Sequence, residues 1–182
     1  MHKIIALISL VLVLVLVNIS ILKKEDHLAN GKIAYLALDP IDPRSLMQGD
    51  YMALRFGISS DINRALQDYH RFHKRIYLKG VEGYIIVKLD NKKIASFKAL
   101  YTNQSLSDDE ILIHYRIRDD EVKFATNAFF FREGTARYYE KARYGKFRVD
   151  DSGELLLVGL YDEHLTKLEP PMDATNIQEE ER

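Results

Sequence analysis

Asp39-Pro40-Ile41-Asp42-Pro43-Arg44-Ser45-Leu46-Met47-Gln48-Gly49-Asp50-Tyr51-Met52-Ala53-Leu54-Arg55-Phe56 packs two Asp-Pro steps, a Gly-Asp corner and an alternating strand into eighteen residues. An aspartate before proline is pushed out of the α region, so the chain is extended or turning at Asp39 and Asp42. Gly49 can take the positive φ of a sharp corner, and the Asp50 carboxylate can bond the amides of that turn. Beyond the corner, Tyr51, Ala53 and Arg55 alternate with Met52, Leu54 and Phe56, the period of a half-buried strand. The stretch is a constrained loop feeding a strand.

The elements on either side read in the same way. Residues 32–38 form a first strand between Gly31 and the Asp-Pro steps. After Gly57, Ser60 or Asp61 offers an N-cap. Ile62, Ala65, Leu66, Tyr69 and Phe72 then recur at helical spacing, predicting a helix over 62–74. Residues 84–89 and 94–100 are apolar strands joined by Asp90-Asn91-Lys92-Lys93. In residues 111–118, Ile111, Ile113, Tyr115 and Ile117 oppose Leu112, His114, Arg116 and Arg118, a strand with one polar face. Val122-Lys123-Phe124 opens a short further strand, and a second helix is expected over 134–144 with Gly145 as its stop. A last hairpin joins 147–149 to 155–160 around Asp150-Asp151-Ser152-Gly153. Strands that do not alternate with helices give an α+β class: a curved antiparallel sheet or small β-barrel with two packed helices, plus one N-terminal transmembrane helix.

That last element is residues 4–22, nineteen positions without a charge, flanked by Lys3 and by Lys23-Lys24. At about 1.5 Å per residue it matches a bilayer's hydrocarbon core. A cleaved signal peptide should have a shorter apolar region followed at once by a small-x-small site. A buried globular helix should not be apolar on every face. The favoured reading is an uncleaved signal anchor in contact with lipid through 4–22, with 23–30 as a charged tether. The lysine balance across the span does not fix orientation; a short leader before a large domain places that domain outside the cytoplasm. The divisions are an anchor with its flanks at 1–24, a domain at 25–168 and an acidic tail at 169–182 that is expected to be disordered.

Composition narrows the chemistry. With no cysteine among 182 residues, disulfides, thiolate nucleophiles and Cys-type zinc sites are excluded. From Glu25 onward 23 basic residues face 27 acidic ones, and no basic patch suggests nucleic acid. His70 and His73 have metal-compatible spacing but no third ligand placed nearby, so no metal and no cofactor is expected. P-loop, dinucleotide, zinc-protease and serine-elbow motifs are all missing. Ser45 ahead of Gly49-Asp50 is superficially similar to signal-peptidase-type barrels, with Lys79, Lys88 or Lys98 as a base on paper. Ile41 and the Leu46 after Ser45 depart from that pattern, and no catalytic residue is assigned. The candidate binding residues are Asp42, Arg44, Gly49, Asp50 and Tyr51. Their plainer reading has Asp42 and Asp50 capping turns while Arg44 pairs with an acid. Arg116, Arg118, Arg132, Arg137, Arg143 and Arg148, interleaved with Tyr115, Tyr138, Tyr139 and Tyr144, could form an anion- or protein-binding surface.

The run Asp42-Pro43-Arg44, Gly49-Asp50-Tyr51-x-x-Leu54-x-Phe56 resembles the GDYXXLXY family of bacterial membrane-anchored proteins. Phe130-Phe131-x-Glu133-Gly134, Ala142-Arg143-Tyr144-Gly145-x-Phe147-Arg148-Val149 and Leu156-x-Val158-Gly159-Leu160 resemble that family's C-terminal half. Phe56 stands where the motif ends in tyrosine, so a hydroxyl is not required there. The resemblance implies a small domain on one span, often encoded beside multi-pass membrane proteins, and it carries no catalytic residues to transfer. The expected function is an inner-membrane, single-pass protein whose periplasmic domain binds or regulates a multi-pass partner. The alternatives are a membrane-bound hydrolase with a non-standard site and a small-ligand sensor.

Overall fold

A helix longer than the apolar run begins the chain. The computed structural model describes residues 2–39, 47–48, 51–73, 82–118, 121–124 and 126–171, and its first element, α1, runs unbroken over His2–Asn30. The segment Lys3–Asn30 is long and apolar enough to cross a membrane, and none of its most apolar window is buried against the rest of the chain. Residues 23–30, expected to be a tether, continue the helix. Their charges mark solvent and not loss of helix: Lys, Glu and Ala are good helix formers, and Asn30 Nδ2 donates to Asp26 Oδ1 at 2.7 Å one turn back. The helix ends at Gly31, whose amide still bonds the His27 carbonyl at 3.0 Å. A Cβ there would lie 2.6 Å from that oxygen, so only glycine lets the chain leave the helix at this angle.

The domain is built from ten strands among the described residues: β1 (Lys32–Ala37), β2 (Met47–Gln48), β3 (Tyr51–Ala53), β4 (Glu82–Leu89), β5 (Ala95–Leu100), β6 (Glu110–Arg118), β7 (Glu121–Lys123), β8 (Ala128–Phe130), β9 (Tyr144–Val149) and β10 (Leu155–Tyr161). Helix α2 (Ile58–His73) follows β3. The strands make three sheets of order β1-β9-β10, β2-β3-β8 and β5-β4-β6-β7, every strand pair antiparallel. Bridges stitch the sheets into a curled half-barrel. Tyr35 pairs with Ile94 and Leu38 with Phe56, the Asp39 amide reaches the Arg55 carbonyl at 2.9 Å, and the His114 amide reaches Gly153 O at 2.9 Å. This is the α+β architecture expected from the strand pattern.

One core fills the curl. Leu36, Phe56, Ile62, Ile85, Ile113 and Phe147 are each at most 1 % exposed. Phe56 is its hinge piece: its ring meets Phe124 and Phe147 edge-on, each at 5.6 Å. The predicted alternation holds here, with Met52, Leu54 and Phe56 buried and Arg55 exposed. Helix α2 covers β5 and β7 through Ile58, Ile62 and Leu66, all buried. Three such side chains contribute about 1.5–3 kcal/mol each, enough to hold a helix whose outer positions are polar. It starts one turn before the predicted Ser60 or Asp61 cap, because the Ser59 amide bonds Phe56 O at 2.9 Å and the chain turns directly out of the strand.

Two expectations need correction. Residues 134–144 hold a single 3₁₀ turn, Ala136–Tyr139, and Gly145 is no helix stop but the second residue of β9, opposite Leu36. The buried Tyr139 explains this. Its ring lies 5.0 Å from Phe129 and stacks on Phe131 at 5.4 Å, which fixes the segment by tertiary contact. The predicted acidic tail lies outside the described residues from position 172 on.

Candidate functional site

Of the five candidate binding residues, Tyr51 is described, and Asp42, Arg44, Gly49 and Asp50 lie outside the described residues. So do Ser45 and Lys79. The strands that precede and follow the Gly-Asp step in the chain are described: Gln48 pairs with Tyr51 and Met47 with Met52. Strand β3 is reached from the far end of β1. Seven residues lie between Gly31 and Asp39, so about 25 Å of extended chain runs from the helix exit to Asp39.

Across β3 lies β8, an outer strand of its sheet. Tyr51 is directly opposite Phe130, and the two rings lie 5.8 Å apart, tilted by 41°. Phe130 is 74 % exposed, the most exposed large apolar side chain among the described residues. Its two neighbours point the other way: Phe129 and Phe131 both hold Tyr139. Period-two geometry then forces Phe130 outward, so the strand is anchored by two phenylalanines while the third is presented to solvent. Sequence reasoning missed Phe130. The only signal was three consecutive phenylalanines, of which a strand can bury one face.

Two other polar clusters stand apart from this face. On the outer side of β4 and β6, His114 Nδ1 meets Glu154 Oε1 at 2.7 Å and Nε2 lies 3.8 Å from Glu82 Oε2. The same Glu154 oxygen takes Arg116 Nη2 at 3.7 Å, and the imidazole packs 5.1 Å from the Tyr84 ring. Among the described residues no three or more His, Asp or Glu side chains are placed to hold a metal ion. The second cluster is His27, Arg148 and Asp150, where the helix meets the domain.

The arginine–tyrosine interleaving does not build one surface. Tyr115 and Tyr139 are buried, and burial pushes both phenols up from their ordinary range. Arg148 Nη1 donates to Gly31 O at 2.9 Å, Arg143 to Ala142 O at 3.1 Å, and Arg137 lies over the Tyr138 ring. A polar cleft of about 200 Å³ between β3 and β7 is lined by Arg55, Ser59, Glu121, Lys123 and Asn127. Its Glu121 carboxyl is held below the usual range by a hydrogen bond from Lys123 and by that lysine's charge.

The family model described as GDYXXLXY protein matches residues 13–160. The chain belongs to the GDYXXLXY family. No curated protein and no solved structure matches it. In this GDYXXLXY protein the motif divides by face. Leu54 and Phe56 are core residues, 2 % and 1 % exposed, and their presence is explained by packing. Tyr51 stands on the other face, beside Phe130.

Proposed function

We propose that this GDYXXLXY protein is a bacterial inner-membrane protein with one span, whose extracytoplasmic domain binds a multi-pass membrane partner. The contact face is Tyr51 and Phe130, and we assign to it the preceding sequence that carries Asp42, Arg44, Gly49 and Asp50. The observation that carries this reading is Phe130. A phenylalanine 74 % exposed beside a tyrosine, on an outer strand, is the aromatic composition that distinguishes interface cores. Aspartate and arginine in the adjoining sequence supply a polar rim.

The other readings have less support. A Ser-Lys hydrolase needs a neutral amine as its base. Lys88 is paired with Asp109 at 3.2 Å and Lys98 with the buried Glu110, so each amine is already engaged by a carboxylate and not directed at a serine. For a small-ligand sensor, the cleft of about 200 Å³ is below the roughly 300–1,000 Å³ of ordinary ligand sites.

Purification of the full chain from native membranes in mild detergent, with mass spectrometry of what accompanies it, tests the proposal. Phe130→Ser and Asp50→Ala should each lose a multi-pass protein that accompanies the wild type, while the domain's Tm holds. Recovery of the same partner with both variants would sink the assigned face. For orientation, the cysteine-free chain allows Ser152→Cys, an exposed turn residue. A membrane-impermeant thiol reagent should label it once the outer layer is permeabilised; protection until the inner membrane is lysed would place the domain on the other side.

A further inference from the structure

The face of α1 turned away from the domain meets no other element among the described residues, and within the apolar span one polar residue lies on it. Asn18 sits in the apolar span, where its Nδ2 donates to Leu14 O at 2.8 Å. That bond uses one of two amide hydrogens, and among the described residues the carboxamide oxygen accepts no bond. An unmet polar group in hydrocarbon costs several kcal/mol. His27 is nine residues further on, about half a turn away around the helix at 100° per residue. It is 6 % exposed against the domain, so Asn18 points directly away from it, where a second helix can approach.

The sequence along that face is self-complementary. Val11, Leu14, Asn18, Ile21, Glu25 and Leu28 follow alternating steps of three and four, the a and d positions of a seven-residue repeat. In a span this apolar, other registers are also filled by Ile, Leu and Val, so the apolar residues alone choose nothing. Asn18 and the segment past the membrane choose. Leu28 lies about 9 Å beyond the span and stays 45 % exposed on the helix surface. Asparagine at an a position pairs best with the same asparagine of an identical helix, each amide donating to the other's oxygen. In a parallel pair, Glu25 packs beside the second helix's Lys24, which turns a buried-position acid into an ion pair.

We infer that α1 is a dimerisation element, through which two copies of this chain associate in parallel along the Asn18 face. The partner is a second copy, because the seam offers an amide to an amide and an acid next to a lysine.

Single cysteines in the full chain, reconstituted in liposomes at low protein density, test this. Under mild oxidation Leu28→Cys should give a band of twice the monomer mass. Lys23→Cys, on the opposite side of the helix, should stay monomeric. Adding Asn18→Leu to Leu28→Cys should weaken the dimer about 5- to 30-fold, the effect of one interhelical amide pair, and Asn18→Gln should retain most of it. Asn18 faces away from the domain and Leu28 is 45 % exposed, so the domain's Tm should not move. Equal linking at Leu28→Cys and Lys23→Cys, or linking indifferent to Asn18→Leu, would overturn the inference. In native membranes, linkage of Leu28→Cys to a protein of another mass in place of its own copy would also overturn it.

Discussion

His27 is the residue that joins the apolar helix to the domain. Its Nε2 lies 2.9 Å from the Arg148 carbonyl, an acceptor only, so that nitrogen carries the hydrogen and donates it. Nδ1 lies 3.6 Å from Asp150 Oδ2, and the ring is almost fully buried. Replacing it with alanine leaves a buried carbonyl without its donor, which costs about 1–3 kcal/mol. A thermal melt of His27→Ala in detergent should show that loss, and an unchanged Tm would mean the contact carries no stability. Glu110 makes a different kind of prediction. It is buried, accepts a hydrogen bond from Lys98 and one from the Ser107 amide at 3.2 Å, and these hold its carboxyl below the ordinary glutamate value. A lowered folded pKa means that the unfolded chain takes up the proton first on acidification. Its stabilisation is therefore complete above the unfolded value of about 4.3 and fades as pH falls through the folded one. Glu110→Gln should lower the urea midpoint at pH 7 and make little difference at pH 3; equal losses at both would remove the carboxylate from the argument.

Strands and turns show where local chemistry decides the fold and where it does not. The β4–β5 turn was legible from Asp90-Asn91-Lys92-Lys93. Asp90 Oδ1 accepts the Lys92 and Ile94 amides, both at 2.8 Å, the local bonding that makes aspartate a turn residue. What the sequence hides is that Lys93 takes φ +64°, where a Cβ is strained. Its side chain is exposed, and both its backbone bonds, to Asp90 O and from the Tyr35 amide, survive substitution. Lys93→Gly should then stabilise by about 0.5–1 kcal/mol, after allowing for the glycine's greater freedom when unfolded. The urea midpoint should rise with its slope unchanged; a fall would mean that the turn tolerates lysine without strain. The alternation through Met52, Leu54 and Phe56 and through 111–118 was legible because each strand has one wet and one dry face. Strand β8 was not, since three residues give period two nothing to repeat. The helix expected over 134–144 failed for a related reason: Tyr139 is claimed by Phe129 and Phe131, residues whose facing no local pattern discloses. For the candidate site, Tyr51 was readable from its motif, while Phe130 became visible only with its two neighbours seen packed.

At the scale of the whole molecule, α1 is one rod from the apolar span to the domain. The charged residues after Leu22 identified a boundary of solvent, and that boundary is not one of structure: the helix passes through it to Asn30 and is fastened at its end by His27 and by Arg148 on Gly31 O. A rod fastened at one end transmits rotation. Inserting one alanine after Lys24 should turn the Asn18 face by about 100° relative to Leu28 and the domain, whereas seven residues bring it back to within about 20°. In a Leu28→Cys background, the single insertion should therefore reduce oxidative linking to the level of Lys23→Cys, and the seven-residue insertion should restore it, although the domain then stands about 10 Å further from the bilayer. The domain's Tm should be the same in all three proteins, because the clamp at His27 is untouched. Restoration by seven and loss by one can arise only from a continuous helix that holds its phase. Equal linking in all three would show that 23–26 yield as a hinge, and the domain would then be tethered and not aimed.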